Sequence, residues 1–278
     1  MDSEFDHFVI TRFNINQSVW KKDKNKVEVN TFEWLIDRYT IFKKYCLPSM
    51  QNQSIQNFKW LVYFDKNTNT CFKQYNTELH DQFPNFIPIY VTNFDEFREQ
   101  KNKDIETYRD KNKQYIITTR LDNDDCLHID AIAIIQKHFK TKTMTIIDLR
   151  NGLCFKTGEN NKLSIFNNLN SGPFISLVEK VNSSIAILTV YHQEHAKWLD
   201  RAHFIPINDG HYWMQIIHER NVLNKMMGEP TFNRQYLVGY EHISKVRFNL
   251  TYYISVALFG AKRMGRKFKN RISTRNER

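Results

Sequence analysis

Apolar residues in the first half of this 278-residue chain fall in short dense runs, separated by stretches where they recur every three or four positions. Residues 7–11 (His-Phe-Val-Ile-Thr), 60–64 (Trp-Leu-Val-Tyr-Phe), 86–91 (Phe-Ile-Pro-Ile-Tyr-Val) and 115–119 (Tyr-Ile-Ile-Thr-Thr) have the length and the β-branched and aromatic content of buried strands. Pro88 has no N–H to donate, which puts the third run at an edge or irregular position. Phe32, Leu35, Tyr39, Phe42 and Cys46 make a helical stripe that Pro48 stops, a polar helix covers 70–83, and Ile129, Ile132, Ile135 and Phe139 mark a helix over 129–139. The alternation predicts an α/β fold with a doubly wound, mostly parallel central sheet flanked by helices. Ligands of such sheets lie beyond the carboxyl ends of the strands, so Arg12-Phe13-Asn14, Asp65 and residues 120–125 share one edge.

The second half has a different rhythm. Residues 145–149 and 153–156 flank Arg150-Asn151-Gly152, a hairpin signal. Residues 160–172 are polar and loop-like, 186–191 read as a strand, and 212–223 as a helix with Trp213, Ile216, Ile217 and Leu223 as its stripe. With no repeat and no low-complexity linker, the pattern predicts one domain with a C-terminal helical extension.

Composition narrows the class. A chain with 41% hydrophobic and 25% charged residues is an ordinary globular protein rather than a disordered one, and no apolar run approaches the roughly 18–20 residues of a membrane span. None of the eight glycines is one residue from another, and Gly260 and Gly265 precede Arg266-Lys267, so neither a G-x-G-x-x-G turn nor a P-loop is present. Dinucleotide dehydrogenases, kinases and P-loop NTPases lose their usual support. The four cysteines make no C-x-x-C pair, which excludes a zinc knuckle or redox dithiol and favours a reduced, cytoplasmic setting. Met1–Asp6 is acidic and lacks the layout of a signal peptide.

Of the formal net charge of +10, +7 lies between Ala261 and Arg278, leaving a body too nearly neutral for a specific nucleic-acid surface. Before this basic tail, residues 250–260 are apolar and aromatic but too short to span a bilayer. That order suits peripheral attachment to an anionic membrane surface on the inner face. A core helix ending in a solvated basic terminus accounts for the same residues.

The densest chemistry lies in Thr118-Thr-Arg-Leu-Asp-Asn-Asp-Asp-Cys126, where Asp122, Asp124 and Asp125 follow directly on an apolar strand. Carboxylates this close repel unless a cation or hydrogen-bond donors neutralise them. Mn²⁺ or Mg²⁺ takes hard oxygen ligands and is completed by substrate phosphates, so Asp-x-Asp at a strand end suits a metal-carried nucleotide diphosphate. The same acids also suit a helix N-terminus, with Asp125 capping a helix that begins near His128. An EF-hand does not fit: counted from Asp122, the sixth position is Leu127 and the twelfth Ala133.

Residues 7–14 (HFVITRFN), 45–49 (YCLPS), 58–65 (FKWLVYFD), 119–125 (TRLDNDD) and 213–221 (WMQIIHERN) occur in this order. Together they resemble the bacterial family of putative rhamnosyltransferases, nucleotide-sugar glycosyltransferases of the GT-A type, over roughly residues 7–225. The resemblance implies a GT-A-like domain over 1–245, followed by the aromatic segment and basic tail of 246–278. It implies that Arg12, Asp65, Arg120 and Asp122 bind the donor near its base, ribose and diphosphate. Asp124 becomes the direct metal ligand and His218 a further one, although a histidine between Ile217 and Glu219 is equally at home in a helix core.

Transfer with inversion also needs a base to take the acceptor's proton. Asp209, in the turn before residue 212, is the first candidate and Glu194 and Asp148 are the reserves; Asp209 before Gly210 also reads as an ordinary turn acid. His211, Tyr212 and Trp213 are candidates to line an acceptor pocket. The expected partners are a nucleotide-diphosphate sugar, with rhamnose as the sugar, and a glycan or lipid-linked glycan acceptor in surface polysaccharide synthesis. A metal-dependent nucleotidyltransferase or phosphohydrolase would use the same acids, and a basic-tailed RNA- or membrane-binding module would use none. His192-x-x-His195 lacks the H-E-x-x-H layout, and no G-x-S-x-G elbow is present.

Overall fold

The apolar run at the start of the chain forms β1 (Phe5–Arg12), buried along all but its last residue. A strand covered on both faces needs this continuous hydrophobic sequence rather than alternation. The computed structural model describes residues 4–16, 26, 28–158, 161–182, 186–218, 225–243 and 246–262. Thr31 opens α1 (Phe32–Ile41) by accepting the Trp34 N–H. A π turn over Phe42–Cys46 leads into α2 (Leu47–Gln51), so the helical path passes through Pro48 instead of stopping there. Pro48 stands in the first turn of α2, where a missing N–H costs little.

β2 (Lys59–Asp65), α3 (Thr70–Gln82), β3 (Phe86–Val91), α4 (Phe94–Tyr108) and β4 (Tyr115–Arg120) complete the first half. Asn69 caps α3, and Asn93 accepts the N–H groups of Asp95 and Glu96 at the start of α4. The second half holds β5 (Cys126–Leu127), α5 (Ala131–Lys137), β6 (Thr145–Leu149), β7 (Gly152–Lys156), β8 (Lys162–Phe166), β9 (Ser176–Lys180), β10 (His203–Ile207), β11 (Trp213–Ile217) and β12 (Glu229–Thr231). A last helix, α6, covers 250–262.

Among the described residues, seven strands form the central sheet in the order β10-β6-β9-β4-β1-β2-β3. Only β9 runs against its neighbours; β4, β1, β2 and β3 are parallel, with Pro88 on the edge strand. This is a doubly wound, mostly parallel α/β arrangement. One core lies between this sheet and α1 to α3, and another, with Phe97 and Ile105 of α4, covers the opposite face. A second sheet, β12-β8-β7-β11-β5, packs Leu153, Phe155, Met214 and Ile216 against Phe248 and Tyr252.

Four expectations for the second half are corrected. Residues 145–149 and 153–156 are not a hairpin: β6 lies in the central sheet and β7 in the second, with residues 150–151 crossing between them. Gly152 permits the crossing, because a β-carbon there would lie 2.1 Å from the Trp213 ring, whose Nε1 donates to the Leu149 carbonyl at 2.7 Å. Residues 213–217 are a strand, not a helix; buried on both faces, Trp213, Ile216 and Ile217 imitate a helical stripe, and 219–224 lie outside the described residues. Residues 190–192 form a 3₁₀ turn rather than a strand, tied down by Val190 N–H to Thr118 Oγ1 at 2.8 Å. The supposed loop at 160–172 contains β8, whose Lys162, Ser164 and Asn-rich surroundings hide its apolar positions.

Candidate functional site

β1 and β4 lie side by side, while the connections from β1 and from β4 leave in opposite directions across the sheet. The crevice at such a switch point, beyond the carboxyl ends, is where doubly wound folds hold ligands. The chain leaves β4 with Leu121 N–H bonded to the Ile10 carbonyl at 3.1 Å, which carries Asp122–Asp125 over the end of β1.

Asp124 is buried and its Oδ2 receives two contacts, from Arg38 Nη1 at 2.8 Å and His218 Nε2 at 3.1 Å. Burial opposes its charge, but the Arg38 guanidinium and the His218 hydrogen bond outweigh it and hold the carboxyl well below the usual carboxylate range. Arg38 also donates to Asn123 Oδ1 at 3.1 Å and lies over the Trp34 ring, 4.8 Å from its centroid. Asn123 in turn donates to the Phe13 carbonyl at 2.6 Å, fastening the acidic segment to the end of β1. His218 arrives from β11, so helix α1, the β4 exit and the second sheet converge on one carboxylate.

The neighbouring acids are held differently. Asp125 does not cap a helix: α5 starts after Asp130, and Asp125 Oδ1 accepts the Ile216 N–H of β11 at 2.7 Å. Its Oδ2 is buried with no hydrogen-bond partner among the described residues. Burial, with the charges of Asp124 and Asp122, pushes this carboxyl well upward. Asp122 is more open and pairs with Arg120 Nη2 at 3.0 Å. Arg120 and Arg12 both face the Tyr191 ring, at 5.7 and 4.9 Å, and Arg12 Nε is buried without a partner among the described residues.

Asp65 stands apart from this cluster. It ends β2, where its N–H donates to Asn14 Oδ1 at 3.1 Å and its Oδ1 accepts the Asn67 N–H at 2.6 Å. Asn14, Asp65 and Thr68, together with Phe32 and Leu35 of α1, line a cleft of about 550 Å³. Helix α1 therefore contributes both to the cleft and, through Arg38, to the acidic cluster.

Asp209 lies in the exposed turn between β10 and β11, where its Oδ1 accepts the Tyr212 hydroxyl at 3.3 Å. Asp148 is fully buried, accepting Gly172 N–H at 2.8 Å and Arg150 Nε at 3.2 Å, and Glu194 is exposed beside Lys197. Trp213 is walled into the core, whereas His211 and Tyr212 are partly open.

Among the described residues no group of three or more His, Cys, Asp and Glu side chains is arranged to hold a metal ion. Asp124 and His218 supply two donors of suitable type, a charged oxygen and an imidazole nitrogen. Together they fit a cation that draws most of its shell from water and phosphate, and not one caged by protein alone. Arg38, which the sequence reading missed, was hidden by its place in an apolar stripe between Leu35 and Tyr39; a lone cation on such a face is itself a signal of a buried acid elsewhere. Asn14 and Asn123 carried no pattern of their own.

The solved structures similar to this chain include TarS 1-349 from S. aureus, at 12% identity and a TM-score of 0.42, covering 76% of this chain and 60% of that one. The same fragment in complex with UDP-GlcNAc matches at 13% identity and a TM-score of 0.42, over 86% and 64%. The inositol-1-phosphate CTP transferase from T. maritima matches at 10% identity and a TM-score of 0.36, over 89% and 100%. This chain thus spans less than two-thirds of the TarS fragment, and no curated protein matches it. The family model described as putative rhamnosyl transferase matches residues 6–230 and takes in β1, Arg38, Asp65, the Asp122–Asp125 segment and His218. The chain belongs to the putative rhamnosyl transferase family.

Proposed function

We propose that this protein is a glycosyltransferase that moves a sugar, rhamnose in the family's description, from a nucleotide-diphosphate donor to a glycan or lipid-linked glycan in surface polysaccharide synthesis. The observation that carries the reading is Asp124, ionised and fixed by Arg38 and His218 at the switch point between β1 and β4. The cleft bounded by Asn14, Asp65 and Thr68 has room for a nucleoside, with side-chain amides and a carboxylate to meet ribose and base edges. Arg12 and Arg120, both facing Tyr191, bring positive charge to the same end of the sheet, where a diphosphate needs it.

A divalent cation, Mn²⁺ or Mg²⁺, would be held by Asp124 and His218 and would supply Lewis-acid stabilisation of the leaving diphosphate. Arg38 keeps Asp124 ionised and aimed, and Asn123 keeps the acidic segment against β1. Asp209, with the Tyr212 hydroxyl on its Oδ1, is the base in this scheme, taking the acceptor hydroxyl's proton as the new bond forms. Work on polysaccharide precursors would take place on the cytoplasmic face of a membrane, to which the basic C-terminal segment attaches.

The test is a thermal-shift panel of UDP, dTDP, GDP and CDP with and without Mn²⁺. The proposal requires at least one diphosphate to raise the melting temperature only with the cation present, and Asp124→Ala to remove that shift. Equal shifts in the two proteins would end it.

A further inference from the structure

Helix α6 is apolar on two opposite faces. Tyr252 and Val256 turn inward to the second sheet, where the Tyr252 hydroxyl donates to the carbonyls of Leu163 and, at 3.1 Å, Thr231. On the far side, Leu250, Tyr253, Ile254, Ala257, Leu258 and Ala261 fall at the i, i+3, i+4, i+7, i+8, i+11 spacing of one continuous stripe. Nothing among the described residues covers it: Leu250 is 74% exposed, Ile254 52% and Leu258 58%. The exposed Phe232 ring lies 5.2 Å from that of Tyr253 and widens the patch. A helix that is apolar nearly all round is ordinarily buried on every side, and contiguous exposed apolar surface of this kind marks a binding face.

The charge that flanks the stripe in the sequence bears on what would cover it. Between Glu241 and Glu277 the sequence has no acid and nine Lys or Arg residues, Lys245 and Arg247 before the helix and seven from Lys262 onward. A second copy of the chain would bring the same positive charge against itself. A nucleic acid would match the charge but offers no extended apolar surface for Ile254 and Leu258. An anionic bilayer offers both at once, acyl chains below and phosphate headgroups above.

We propose that the outer face of α6 docks on an anionic phospholipid surface, with Leu250, Ile254 and Leu258 entering the acyl boundary and the flanking Lys and Arg residues supplying the attraction to headgroups. The helix is too short to cross the bilayer, and no described helix is long and apolar enough to do so, so it lies in the plane of the interface. Because its other face packs on the sheet containing β11, which leads into His218, docking sets how the candidate site is presented to a lipid-linked acceptor. Docking itself stands apart from the transferase reading, since it is read without substrate.

The experiment is co-sedimentation of the full chain with phosphatidylglycerol-rich vesicles and with pure phosphatidylcholine vesicles. The wild type is expected to bind the first, with binding that falls as salt is added, and to bind the second about tenfold or more weakly. Ile254→Glu together with Leu258→Glu should lose binding with an unchanged melting temperature, because both positions are exposed. Leu258→Trp, which keeps the face apolar, should bind as the wild type does and show added emission that brominated phosphatidylglycerol quenches. The proposal is overturned if the wild type ignores anionic vesicles, if the folded double variant binds them as well as the wild type, or if the added emission is not quenched. It is also overturned if the stripe is covered by a second copy, seen as a dimer that the double variant dissolves while lipid binding is absent.

Discussion

The Arg38 guanidinium reaches Asp124 at 2.8 Å from a helix 86 positions earlier in the chain. Both groups are buried, so each is the main compensation for taking the other out of water.

Removing one partner strands the other. Arg38→Ala is expected to lower stability by about 3–5 kcal/mol, measured by urea unfolding. Asp124→Asn should fall in the same range, since an amide cannot answer the guanidinium's charge.

Asp125 gives the contrasting result. Among the described residues its side chain accepts one hydrogen bond, from the Ile216 N–H, and an asparagine carbonyl accepts it equally well. Asp125→Asn is expected to change stability by less than about 1 kcal/mol in the same assay. A loss as large as that of Asp124→Asn would show that the two acids are not held in these different ways.

The close approach of Trp213 to Gly152 makes a sharp steric test. Gly152→Ala places a β-carbon inside the indole ring system and should destabilise by about 1–3 kcal/mol or more. Calorimetry of this variant beside Gly260→Ala, where open space surrounds the position and the backbone is helical, separates overpacking from loss of glycine flexibility.

His7 predicts a pH dependence. The Gln136 amide donates to the Asn57 carbonyl at 2.8 Å and to His7 Nδ1 at 3.2 Å, so Nε2 carries the proton and donates to Thr119 Oγ1 at 2.7 Å. Burial lowers the pKa of this imidazole from 6.5 to about 3. Between those values the unfolded chain binds a proton that the native protein does not, so acid favours unfolding. The contribution is absent above pH 6.5 and grows by about 1.4 kcal/mol per unit as pH falls toward 3. Urea midpoints at pH 7 and pH 5 should therefore differ less in His7→Gln than in the wild type.

Metal removal tests the roles assigned to Asp124 and His218. A chelator should abolish stabilisation by the preferred nucleoside diphosphate, and added Mn²⁺ should restore it. In His218→Ala the Mn²⁺ concentration at half effect should rise about tenfold, as the loss of one interaction near 1.4 kcal/mol requires. An unchanged midpoint would remove His218 from the cation site.

The strands that build the switch point were legible because parallel strands buried on both faces must be continuous apolar runs, as residues 7–11, 60–64 and 115–119 are. The acids at the end of β4 were legible because three carboxylates together demand an explanation. Arg38 was legible only as a lone cation on an apolar face; that its partner is Asp124, 86 positions away, is long-range information that no local pattern carries. β11 was misread for a related reason: a fully buried strand loses the alternation that separates it from a helix, and its partners β7 and β5 lie 60 and more positions earlier. Local pattern located the carboxyl end of the parallel strands, while the pairings that complete the cluster are long-range.

The bond from Asp125 to Ile216 stitches the acidic segment to a layer whose strands are spread from residue 126 to residue 231. No fragment ending before β11 contains either that tether or His218, however well its parallel strands assemble. The carboxylates are set only where distant parts of the polypeptide meet, so a chain truncated before residue 213 would lack the partner that holds Asp125 in place.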